Sequence, residues 1–87
     1  MAKRTILKYP YEDTELSHFL IRVLENSHLT QREIAYKIGY KNPNIISMIK
    51  FGAVKMSLTR VNAFAKVLGV DVNKLREMAI SQAMIKF

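Results

Sequence analysis

Thr30-Gln31-Arg32-Glu33-Ile34-Ala35-Tyr36-Lys37-Ile38-Gly39-Tyr40-Lys41-Asn42-Pro43-Asn44-Ile45-Ile46-Ser47-Met48-Ile49-Lys50-Phe51-Gly52 is the stretch on which the fold turns. Thr30 followed three residues later by Glu33 reads as a capping box, in which the hydroxyl accepts from the Glu33 N–H and the carboxylate reaches back. Ile34, Ala35 and Ile38 give this helix a buried face, and Gly39 stops it because glycine enters the left-handed region without penalty. After a short turn, Asn42 suits an N-cap and Pro43 the first helical position, where a missing N–H costs nothing. Ile45, Ile46 and Ile49 supply an apolar face up to Phe51-Gly52. Two short helices joined by a glycine turn can cross steeply only where their contact is small. Ala35 allows the close approach and Gly39 the turn, so residues 31–52 are expected to form a helix-turn-helix.

Outward from this segment the helical period continues. Leu16, Phe19, Leu20, Val23 and Leu24 predict a first helix from about Asp13 to Asn26, with acidic residues in its first turn. After a loop over 53–56, Ser57 is expected to cap a fourth helix with Leu58, Val61, Phe64, Ala65 and Leu68 on its inner face, ending at Gly69. Asp71 is expected to cap a fifth, with Val72, Leu75, Met78 and Ala79 inward. The expected fold is an all-α five-helix bundle with no strand, in which residues 1–12 form a basic, mobile arm and residues 13–87 the domain and its C-terminal helix.

Composition narrows the function. With 87 residues the chain holds one domain. It has no cysteine, hence no disulfide, thiolate zinc site or thiol chemistry. No apolar run reaches membrane-spanning length, so a soluble cytoplasmic protein without a membrane partner is expected. The net charge is +7, and residues 29–69 carry seven cations against Glu33 alone. Lys3, Arg4 and Lys8 add three more near the N-terminus, whereas residues 11–28 are net acidic. A field gathered in this way favours a polyanionic partner. His18 and His28 have no ligand set around them, and Ser17 and His18 are helical neighbours that cannot face each other. No metal, cofactor or enzymatic activity is expected.

Leu29 to Ala35, then Ile38-Gly39, Ile46, Ile49 and Gly52, then Phe64-Ala65-Lys66-Val67-Leu68-Gly69-Val70-Asp71 resemble the Cro and phage-repressor (XRE-like) type of helix-turn-helix domain over roughly residues 14–80. The resemblance implies a lambda-repressor-like bundle, with helix 3 in the major groove of double-stranded DNA and dimers on operator half-sites. It implies a transcriptional regulator, a repressor or an antitoxin-like protein, whose protein partners would be a toxin or the transcription machinery. Two departures stand out. The family often ends helix 3 with Glu, any residue, Gly, where this chain has Lys50-Phe51-Gly52; the helix 1 arginine that commonly pairs with that glutamate would fall near Leu24. One extra residue also lies between Gly39 and Gly52. Either Ile45 and Met48 point inward, with the insertion after helix 3, or Ile46 and Ile49 do, with the insertion in the turn. The second fits Asn42 and Pro43 better, and it exposes Asn44, Ile45, Ser47 and Met48.

In that register Asn44 can pair two-fold with an adenine edge, Ser47 is short and tolerant, and Ile45 and Met48 can meet a thymine methyl. Gln31 resembles the family residue that holds a phosphate at the start of helix 2. Lys41, Lys50 and Lys55 suit phosphates, Asn42 lies beside them in the turn, and Lys3 and Arg4 are candidate arm contacts. Ile80, Met84 and Phe87 recur on a second face of helix 5 and are expected to form a homodimer contact. The competing expectation is a helix-turn-helix module that docks proteins and does not bind DNA.

Overall fold

The computed structural model describes residues 9–85; Lys3, Arg4, Lys8 and Phe87 lie outside them. Among the described residues there are five α-helices, one 3-10 turn and no strand. The capping box forms at the start of α2 (Gln31–Ile38): Thr30 Oγ1 accepts from the Glu33 N–H at 3.1 Å and Glu33 Oε1 from the Thr30 N–H at 2.8 Å. Gly39, at φ 112°, closes the helix, and the Tyr40 N–H reaches the Ala35 carbonyl at 2.9 Å. α3 (Asn44–Phe51) follows. Its formal N-cap is Pro43, already helical at φ −64° and ψ −19°, while Asn42 Oδ1 accepts from the Asn44 N–H at 2.9 Å. Asn42 thus performs the capping expected of it, within the one-residue latitude of helix boundaries.

α1 (Glu15–Glu25) begins later than Asp13, because Thr14 rather than an acidic residue caps it. The Thr14 hydroxyl donates to the Tyr11 carbonyl and accepts from the Ser17 N–H and the Gln82 Nε2. That uses its one donor and both lone pairs. Residues 9–14, partly assigned to the arm by the sequence, form turns, and the Tyr11 N–H donates to the Gly52 carbonyl at 2.8 Å.

The fourth helix departs most from expectation. A 3-10 turn over Leu58–Arg60 precedes α4 (Val61–Leu68), and Ser57 makes no capping bond to the backbone; its hydroxyl meets that of Thr59 at 2.8 Å. Leu58 therefore lies on the surface rather than on the inner face. The tighter turn rotates it away from Val61, Phe64 and Ala65, which are buried. Asp71 caps α5 (Val72–Ala83) by accepting from the Asn73 N–H.

The helices close a ring of contacts: α1 on α3, α3 on α2, α2 on α4, α4 on α5, and α5 back on α1. Leu16, Leu20, Ile34, Ala35, Ile46, Ile49, Phe64, Leu75 and Ala79 fill its centre. Met56, read from sequence as loop, is buried with them. Its N–H donates to Oε1 of Gln82, itself buried, at 2.8 Å. A buried amide is tolerable only when satisfied, so Gln82 fastens the loop after α3 to α5. No helix among the described residues is long and apolar enough to cross a membrane.

Candidate nucleic-acid interface

α3 is held in the second of the two sequence registers. Ile46 and Ile49 are buried, and Asn44 and Met48 are exposed. Ile45 is a correction: expected on the open side, it is half-buried against the core. At 100° per residue it stands next to Ile46 and Ile49 rather than opposite them. The residues opposite the core are Asn44, Ser47, Met48 and Phe51, at i, i+3, i+4 and i+7. Phe51, 49% exposed, had been read only as the end of the helix. The spacing from Asn44 would have found it.

Two hydrogen bonds and one close backbone approach hold this face. Ser47 Oγ donates to Gln31 Oε1 at 2.6 Å, which brings the first residue of α2 against the middle of α3. Buried Ser17 donates from its hydroxyl to the Lys50 carbonyl at 2.6 Å. This bond ties α1 to the end of α3, and Leu24 packs against the core. At Gly52, φ is 86° and an added Cβ would lie 2.3 Å from the backbone of Tyr11 and of Glu12. Only glycine admits that backbone approach.

The turn between α2 and α3 has its own lock. Arg60 Nη1 donates to the Ile38 carbonyl, one of those a helix end leaves open, at 3.0 Å. The guanidinium carbon of Arg60 lies 4.4 Å from the Tyr40 ring centroid, and the Tyr40 and Phe64 ring centroids are 6.2 Å apart. Burial raises the Tyr40 hydroxyl above its ordinary pKa, and Arg60 partly offsets this. Arg60, counted from sequence with the central cations, is therefore committed to the fold.

Of the expected phosphate ligands, Lys41 and Lys55 are exposed. Lys50 is half-buried, with Nζ 4.5 Å from the Phe51 ring centroid. Glu33 is tied to the Thr30 N–H. Tyr9, Asn44, Ser47, Met48, Phe51 and Ala53 line a cleft of about 310 Å³ on the outer face of α3. A roomier cleft of about 570 Å³ between the ends of α1 and α4 contains none of the expected site residues. Its lining sets Val23, Leu29, Val67 and Leu68 beside Arg22, Asn26, Ser27 and His28. On α5, Ile80 and Met84 are 42% and 71% exposed. Compared with known proteins, the chain matches no family model, no curated protein and no solved structure.

Proposed function

We propose that the protein binds double-stranded DNA sequence-specifically and regulates transcription, with α3 in the major groove. The observation that carries this reading is the outward row of α3, anchored from Gln31, Ser17 and Gly52, within residues 29–69, where six cations besides the committed Arg60 are set against Glu33 alone. A groove reader needs a narrow, rigid helical edge for the bases and positive charge beside it for the phosphates. Asn44 has the two-fold donor and acceptor geometry for adenine. Lys41, Lys50 and Lys55 hold phosphates, and Gln31, its carbonyl oxygen occupied by Ser47, has its amide hydrogens left to donate to one.

Titration of the full chain on random duplex and on duplexes selected from a random pool, at two salt concentrations, tests the reading. Log affinity should fall linearly with log salt, by about 0.9 per phosphate neutralised. Lys50→Ala should lower that slope by about one on every duplex. Asn44→Ala should cost roughly 1–3 kcal/mol on the selected site and little on random DNA. Equal losses for both variants on both DNAs would refute these roles.

The exposed Ile80 and Met84 support a two-fold homodimer through α5, which would set two α3 helices about one turn of DNA apart, roughly 34 Å.

A further inference from the structure

The outer stripe of α3 is polar at one end and apolar at the other. The Ser47 hydroxyl is spent on Gln31, 2.6 Å away. Met48 and Phe51, 40% and 49% exposed, therefore dominate the half of the cleft that Tyr9 and Ala53 complete. Lys50 Nζ stands 4.5 Å from the Phe51 ring centroid, so a cation steadies the ring and borders the apolar surface. A seat that is apolar at its floor and cationic at its rim fits a ligand with one apolar group set among anions. In the major groove of unmodified duplex the 5-methyl of thymine is that group, and phosphates flank it.

We infer that Met48 and Phe51 form a seat for the 5-methyl of a thymine in the bound site, with Lys50 holding the ring and the neighbouring phosphate. The inference rests on the DNA-binding reading above; to the thymine-methyl contact expected of Met48 it adds Phe51, which the sequence did not single out, and Lys50 as the group that holds the ring. A protein ligand fits this face less well, because the stripe is narrow, one helix wide, and lies in the most cationic part of the chain.

The test uses the full chain and the duplexes it selects from a random pool. Each thymine is replaced in turn by deoxyuridine, which removes only the methyl, and by 5-bromodeoxyuridine, which restores an atom of similar size. At one or more thymines deoxyuridine should weaken binding about fourfold, as loss of one buried methyl predicts, and bromine should restore it. Met48→Ala and Phe51→Ala should weaken binding to the thymine duplex and lose most of the deoxyuridine penalty. Both side chains are half-open to solvent, so the core survives their removal. Leu58→Ala, as exposed as Phe51 but on the 3-10 turn before α4 and outside the proposed DNA and dimer faces, should change neither quantity. Deoxyuridine without effect at every position, or a penalty undiminished in both α3 variants, overturns the seat and leaves DNA binding standing. Absence of salt-sensitive duplex binding overturns both.

Discussion

α3 and α5 both turn apolar side chains to water, yet their surroundings differ. On α3, Lys50 Nζ lies 4.5 Å from the Phe51 ring centroid, Lys41 and Lys55 belong to the segments just before and after the helix, and the helix is pinned by side-chain or backbone bonds to α1, α2 and the N-terminal turn. Ile80 and Met84 lie on α5, which carries cations and a carboxylate together in Lys74, Arg76 and Glu77, and Gln82 bonds that end to Met56 and Thr14. Under the proposed function the same exposure serves two purposes. A face that must match the fixed spacing of a polyanion gains from being held rigid before it binds. A face that meets its own copy needs no net charge and can be ordered by that copy.

The largest expected effect comes from breaking the anchor of α3. Gly52→Ala combines a left-handed φ with a Cβ driven into the backbone of Tyr11 and Glu12. Strain and overpacking together should cost about 3 kcal/mol or more in urea unfolding. Gly39→Ala shares the left-handed φ, but its Cβ meets only Arg60 Nη1, at the end of a flexible side chain. About 1–2 kcal/mol is expected there. Equal losses would show that the approach of residues 11–12 does not constrain α3.

Next come the two buried polar ties, one for each helix. Gln82→Ala strands the Met56 N–H and leaves a cavity, for about 2–4 kcal/mol. Ser17→Ala removes the donor to the Lys50 carbonyl, for roughly 1–2 kcal/mol. DNA affinity separates them. Ser17→Ala should weaken binding measurably under conditions where it remains folded, because α3 loses its register on α1. Gln82→Ala should act through stability alone. A folded Ser17→Ala protein with undiminished affinity would refute the pinning argument.

Charge substitution then tests the division of labour between the faces. Met48→Asp should lower duplex affinity at least tenfold while sedimentation is unchanged, since a carboxylate beside phosphates is repelled. Met84→Asp should dissociate the dimer, and raised protein concentration should recover its DNA binding. Substitution is a cleaner probe than ending the chain at Glu77, which would delete the buried Met78, Ala79 and Gln82. Unaltered sedimentation of Met84→Asp would remove α5 from the interface.

Local signals explain what the sequence revealed. The Thr30–Glu33 box, Gly39, the Asn42-Pro43 start and the Asp71 cap each act within a few residues, and each appears in the structure. The register of α3 also followed from local capping. Contacts distant along the chain left no such trace. Nothing in Ser17 or Gln82 announces burial against partners 33 and 26 residues away, nor Arg60 its bond to Ile38 across 22. Gly52 read as a helix stop, although its tighter demand comes from Tyr11 and Glu12. Leu58 failed for a related reason. A 3-10 turn shifts the phase of the apolar stripe by less than a residue per turn, enough to put the first member outside.

The smallest effect concerns the turn between α2 and α3, at Tyr40. Burial raises its hydroxyl pKa above 10.0 and Arg60 lowers it in part. A raised pKa means that the folded state keeps the proton when the unfolded chain has begun to release it. The resulting stabilisation is complete below the unfolded value and is lost as pH rises through the folded one. Stability of the native chain should thus decline above pH 10, and Tyr40→Phe should lose that part of the decline which Tyr40 carries. Arg60→Met should raise the Tyr40 pKa further, because the opposing cation is gone, and extend the decline to higher pH. Urea unfolding at a series of alkaline pH values, with tyrosine absorbance read alongside, decides the matter. An Arg60→Met protein in which Tyr40 ionises at lower pH than in the native chain would mean that the guanidinium does not act on the hydroxyl through its charge. The lock on the turn would then rest on stacking and the Ile38 carbonyl alone.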